Sequence, residues 1–126
     1  MRKAFSKSDR IILVDLLILV LFALLLRSGG LIAKRARVDI YVDNALYKSV
    51  ELPKDGEKHV CIEQENGEMN ELLLSSDGFC MFDANCPHQD CLKQGFVNAN
   101  NYESRALGRY IICLPHKLSA EYVPQE

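Results

Sequence analysis

The chain is 126 residues long with a net charge of −2, which allows one compact domain and little more. Its charge is unevenly placed: eight basic and two acidic residues lie before position 38, and seven basic and fifteen acidic ones after it. An acidic domain without a basic stripe argues against binding to nucleic acid, whose phosphate backbone is held by Lys and Arg.

A short basic stretch, residues 1–10, precedes an apolar segment over residues 11–33 that is interrupted by Asp15 and Arg27. Roughly 20 mostly apolar residues suffice to cross a bilayer, so this segment is expected to be a transmembrane anchor. The alternative is a cleaved signal peptide, but Ala33-Lys34-Arg35-Ala36 is charged where a peptidase site is usually neutral. A basic linker over residues 34–37 follows. Four Lys or Arg precede the segment and four lie from Arg27 to Arg37, so the positive-inside rule scarcely discriminates. All five cysteines lie beyond residue 60, which favours an oxidising compartment. The expected placement is therefore the cell membrane, single-pass, with the N-terminus cytoplasmic and the rest extracytoplasmic. Asp15 is expected to reach the membrane interface or meet a partner helix.

Residues 38–126 read as short strands separated by turns. Residues 38–43 alternate apolar and polar, apart from Tyr41, and a turn at Asp43-Asn44 leads into residues 46–52. The cluster Pro53-Lys54-Asp55-Gly56 precedes a strand at 59–63. Asn66-Gly67 is the strongest short hairpin signal in the chain. Residues 71–75 and 79–83 flank a turn at Ser76-Asp77-Gly78. Further strand signals lie at 95–97, 109–114 and 117–123, with a polar stretch over 98–105 and a turn at Pro115-His116. About seven short strands at this spacing predict an all-β domain, a small barrel or sandwich. No amphipathic helix, internal repeat or phosphate-binding glycine pattern is evident after residue 37.

The chemistry of the chain concentrates in Cys86-Pro87-His88-Gln89-Asp90-Cys91 and Cys113-Leu114-Pro115-His116. Cys86, His88, Cys113 and His116 would supply two thiolates and two imidazoles, a complete tetrahedral set for zinc. The same Cys-x-His and Cys-x-x-His order also holds Rieske-type 2Fe-2S clusters. Against that, Pro115 stands where a Rieske disulfide partner belongs, and 24 residues separate His88 from Cys113. Thiol exchange is disfavoured because Cys86 and Cys91 are four residues apart rather than two. A domain of this size also offers little room for a substrate pocket, so neither catalysis nor a small-molecule substrate is expected. The remaining reading is structural, with a disulfide and prolines that end strands. Two bridges among five cysteines admit 15 arrangements, and the spacing does not choose among them.

The apolar segment, Val38-Asp-Ile-Tyr-Val, Asn85-Cys-Pro-His-Gln-Asp-Cys-Leu-Lys-Gln-Gly95 and Ile111-Ile-Cys-Leu-Pro-His-Lys-Leu118 together resemble the NusG domain II-like membrane proteins of Gram-positive bacteria. These resemble the β-domain inserted in some NusG transcription factors, detached and tethered to a membrane. The three cysteines matching Cys86, Cys91 and Cys113 are the recurring part. The stretch Asn98–Leu107 is longer here than the short Pro-Gly turn usual in the family. The resemblance implies no enzymatic activity and no cofactor, and hints at a link to extracytoplasmic electron transfer. The resulting expectation is an interaction or accessory module for a membrane protein partner. In it, a disulfide among Cys86, Cys91 and Cys113 pins the two loops together. The alternative is a redox or metal carrier using Cys86, His88, Cys113 and His116.

Overall fold

The computed structural model describes residues 6–28 and 34–126. They fall into two units, residues 1–33 and 34–126.

In the first unit, α1 spans Lys7–Ser28. Ser6 starts it through a reciprocal cap: its Oγ accepts the Ser8 N–H at 3.1 Å, and its own N–H donates to Asp9 Oδ2 at 3.1 Å. Leu, Ile and Val continue the helix, and Arg27 in the last turn suits the negative end of its dipole. The apolar side chains from Ile11 to Leu26 are exposed.

The expected membrane anchor is corrected by this helix. Among the described residues no helix is long and apolar enough to cross a membrane. The physical reason is the distribution of charge along it. Lys7, Asp9, Arg10, Asp15 and Arg27 leave an unbroken apolar run of only 11 residues, Leu16–Leu26. At about 1.5 Å per residue that run covers roughly 16 Å, about half of a hydrocarbon core near 30 Å thick. Residues 29–33, the end of the expected span, lie outside the described residues. The single-pass placement, with a cytoplasmic N-terminus and an extracytoplasmic β domain, loses its support with the anchor.

The second unit contains eight strands: β1 Arg37–Val42, β2 Ala45–Glu51, β3 Glu57–Glu63, β4 Met69–Ser75, β5 Gly78–Ala84, β6 Val97–Asn98, β7 Tyr110–Cys113 and β8 Leu118–Val123. They form two four-stranded sheets, in the orders β2-β1-β8-β7 and β3-β4-β5-β6, with every pairing antiparallel. The expectation of a barrel or sandwich of about seven strands behind a transmembrane helix is thus corrected to two open four-stranded sheets.

Alternation along each strand sets the inner faces. Val38 and Ile40 of β1, Leu118, Ala120 and Tyr122 of β8, and Ile111 of β7 come from one sheet. Val60 and Ile62 of β3, Leu72 and Leu74 of β4, and Phe79 and Met81 of β5 come from the other, and all join one buried core. Asp43 and Asn44 take positive φ of 52° and 63°, the primed two-residue turn that suits the twist of β1 and β2. Asn66-Gly67 sits instead in a longer connection between β3 and β4. There Gly67, at φ 86°, donates to Gln64 O at 3.0 Å.

The polar stretch after β6 is an ordered loop. Asn98 Oδ1 accepts the N–H groups of Asn100 and Asn101, and Asn101 Oδ1 returns to the Asn98 N–H. Tyr102 packs against Tyr122 with ring centroids 5.9 Å apart, and the Arg109 guanidinium lies 5.1 Å from the Tyr102 centroid.

Candidate thiol cluster

The loop after β5 carries the first cysteines towards the edge of the other sheet. Gln89, at φ 51°, turns the chain and donates from Nε2 to Ala84 O at 2.8 Å. A single 3₁₀ turn, Leu92–Gln94, then begins directly after Cys91. Its last residue, Gln94, reaches β7: Nε2 donates to Ile112 O at 2.6 Å, and Oε1 accepts the Ile112 N–H at 2.8 Å. The side-chain amide therefore occupies the place of a neighbouring strand on the open edge of the β2-β1-β8-β7 sheet. Arg105 reinforces this edge by donating to Gln94 O at 2.8 Å and Tyr110 O at 3.1 Å. Burial lowers the pKa of its guanidinium from the ordinary arginine range.

This docking brings Cys86 and Cys91 against Cys113 at the end of β7. The three sulfur atoms lie within 4.8 Å of one another. Cys86 Sγ and Cys91 Sγ are 3.7 Å apart, and none of the five cysteines is bonded to another. Their exposures are 5%, 1% and 1% for Cys86, Cys91 and Cys113. Burial, together with contacts to Cys86 and Cys113, pushes the Cys91 thiol far above the usual range. A cavity of about 100 Å³ abuts the cluster, lined by the three cysteines with His88, Asp90 and Leu114 among its other walls.

The fold brings the three disulfide candidates Cys86, Cys91 and Cys113 together, and it divides the alternative ligand set of Cys86, His88, Cys113 and His116. Cys86 and Cys113 meet, but their companion is Cys91, and neither His88 nor His116 belongs to the cluster. His88 is exposed on the loop. His116 is 4% exposed, and its Nδ1 donates to Asn70 Oδ1 at 2.6 Å. Cys61 and Cys80 point to the outer face of the β3-β4-β5-β6 sheet, where Cys61 is exposed and Cys80 half-buried.

Sequence reasoning did not single out Gln94 or Asn70. Asn70 left a trace, since it shares the inward period of Leu72 and Leu74 and a polar residue there demands a partner. Gln94 left none, because its partner lies 18 residues away on the edge strand β7.

Two four-stranded antiparallel sheets on one buried core, with three buried thiols converging where the loop after β5 meets the end of β7, define a β-rich domain with a cysteine cluster. The chain belongs to the NusG domain II family, whose pattern it matches over residues 11–126. The fold is similar to that of a DUF1312 family protein, EF3258, from Enterococcus faecalis. The two are 24% identical over 72% of this chain and 99% of that one, with a TM-score of 0.60. The Lin0431 protein of Listeria innocua is 20% identical, over 72% and 98%, with a TM-score of 0.58. A DUF1312 family protein of Ruminococcus gnavus is 28% identical, over 69% and 96%, with a TM-score of 0.50. No curated protein matches the chain.

Proposed function

We propose that this chain is an interaction or accessory module without catalysis of its own, and that its cysteine cluster is a clasp. The observation that carries the reading is the contrast between the thiols and the loop they hold. Three sulfurs are buried at the turn end of the β7–β8 hairpin, while Leu114, one residue beyond Cys113, is 80% exposed. A reactive thiol needs access and a stabilised thiolate, and burial opposes both. An apolar side chain held out on a fixed hairpin is instead suited to enter a pocket on a protein partner.

Under oxidising conditions the clasp closes as a disulfide between two of the three thiols. They give up two protons and two electrons to dioxygen or to another protein's disulfide. A bridge that includes Cys113 ties the two loops together, whereas Cys86 and Cys91, 3.7 Å apart, lie on the same loop.

The test is site-specific photocrosslinking of the full chain in its host cell. A crosslinking residue at position 114 is expected to give a discrete protein adduct that the same residue at exposed position 58 does not. Equal adducts from both positions, or none from 114, would overturn the reading.

A further inference from the structure

We propose that in the reduced protein Cys86, Cys91 and Cys113 form a three-thiolate site for a thiophilic d¹⁰ cation, Zn²⁺ or Cu(I). The proposal deepens the clasp reading and rests on it in one respect, that these three side chains hold the two loops together.

The donor geometry carries the argument. Metal–thiolate bonds are about 2.3 Å, so an ion at the centre of three sulfurs requires them to be roughly 4 Å apart. The three Sγ atoms already lie within 4.8 Å of one another, with the Cys86–Cys91 pair at 3.7 Å. Contraction of at most about 0.8 Å completes the triangle.

The surroundings hold these donors in place by several independent bonds. Gln89 fixes the turn between Cys86 and Cys91 to Ala84 O at 2.8 Å. The two bonds from the Gln94 amide to Ile112 fix the 3₁₀ turn to the strand that carries Cys113. Preorganised donors lose little freedom on binding.

The donor type selects the ion. Soft thiolates favour Cu(I) and Zn²⁺ over hard cations, which prefer oxygen. Three sulfurs complete a trigonal site for Cu(I), whereas Zn²⁺ takes a fourth ligand, for which the adjoining cavity of about 100 Å³ has room. The two ions thus share one donor set and differ at one position. Each ligating thiol releases its proton to solvent, and no electron is transferred. A disulfide between any two of the cysteines removes two of the three donors, so oxidation and metal binding exclude each other.

The experiment uses the full chain, reduced and kept anaerobic, with Co²⁺ as an optical stand-in for Zn²⁺ and a Cu(I) chelator competition in parallel. One Co²⁺ per chain with sulfur-to-cobalt charge-transfer absorption supports the zinc form. One Cu(I) retained against the chelator, with no cobalt band, supports the copper form. Cys91→Ser is expected to weaken binding at least tenfold, while Cys61→Ser leaves it within twofold. Because Cys91→Ser could fail to fold, X-ray absorption of the loaded wild-type protein counts the neighbours directly. Three sulfurs per ion are expected, and two sulfurs with two nitrogens would overturn the proposal in favour of the histidine-containing set. Binding of neither ion would overturn it as well. Intact mass of the oxidised chain separates the two readings, since a loss of about 2 Da per bridge keeps the disulfide clasp standing even when metal binding fails.

Discussion

Asn70 and His116 meet in the buried interior, His116 Nδ1 donating to Asn70 Oδ1 at 2.6 Å although 46 residues separate them in the chain. Asn70 belongs to β4 in one sheet, and His116 to the hairpin between β7 and β8 of the other. The bond therefore ties the two sheets together, and Gln64 adds a second tie by donating to His116 O at 2.8 Å. A buried donor left without its acceptor costs about 1–3 kcal/mol. Asn70→Ala is expected to lower unfolding stability by about that amount in urea titrations. A double-mutant cycle with His116→Ala should be less than additive, because either change alone breaks the same bond. Full additivity would show that the bond contributes nothing.

Gln94 predicts a separate effect at the edge of the sheet. Its amide satisfies both Ile112 backbone groups on β7, which has no strand on that side in the order β2-β1-β8-β7. Unpaired edge groups recruit other strands. Gln94→Ala is therefore expected to speed hydrogen exchange at the Ile112 amide at least tenfold and to raise concentration-dependent association. The Leu118 amide in the interior of the same sheet should change little by comparison. Unchanged exchange at Ile112 would show that the side-chain amide does not protect this edge.

Gly78 opens β5 where β6 crosses it. A Cβ placed there would lie 1.9 Å from Val97 O and 2.9 Å from Asn98 Cβ. Backbone, not a flexible side-chain end, blocks the position, so the strand pair itself must shift. Overpacking typically costs about 1–3 kcal/mol, and Gly78→Ala is expected at or beyond the upper end of that range. The measured quantity is the urea midpoint. An unchanged midpoint would mean that the β5–β6 pairing gives way at no cost.

Much of this fold was legible from local chemistry. The alternation in residues 38–43 and the turn signals that bound residues 71–75 and 117–123 marked strands, and strands lie at Arg37–Val42, Met69–Ser75 and Leu118–Val123. Asp43-Asn44 marked a tight turn, and both residues do adopt positive φ. The apolar segment was read as a span in spite of Asp15 and Arg27, yet these charges cut the unbroken run to Leu16–Leu26. The candidate site was half legible. The family resemblance pointed to Cys86, Cys91 and Cys113, which do meet, whereas spacing offered Cys86, His88, Cys113 and His116 as a ligand set that the fold does not assemble. His116 was out of reach of spacing arguments, since its partner Asn70 is on another strand of the opposite sheet.

Tyr122 sets the response to alkaline pH. It is almost fully buried on β8, and burial, followed by the neighbouring Tyr102 and Asp77, raises its phenol above the ordinary value of 10.0. The folded state therefore disfavours phenolate, while the unfolded chain loses the proton near pH 10. Stability from this group is fully present below about pH 10 and is lost as pH rises towards the folded-state value. Tyr41 and Tyr110 are raised in the same direction, so the wild-type slope alone does not isolate Tyr122. The difference between wild type and Tyr122→Phe does, because the other two phenols are common to both. Urea unfolding from pH 8 to pH 11 is expected to show the wild type losing stability more steeply than the variant above pH 10. The curves should run parallel below it. Parallel curves throughout would mean that Tyr122 ionises as freely in the fold as in the unfolded chain.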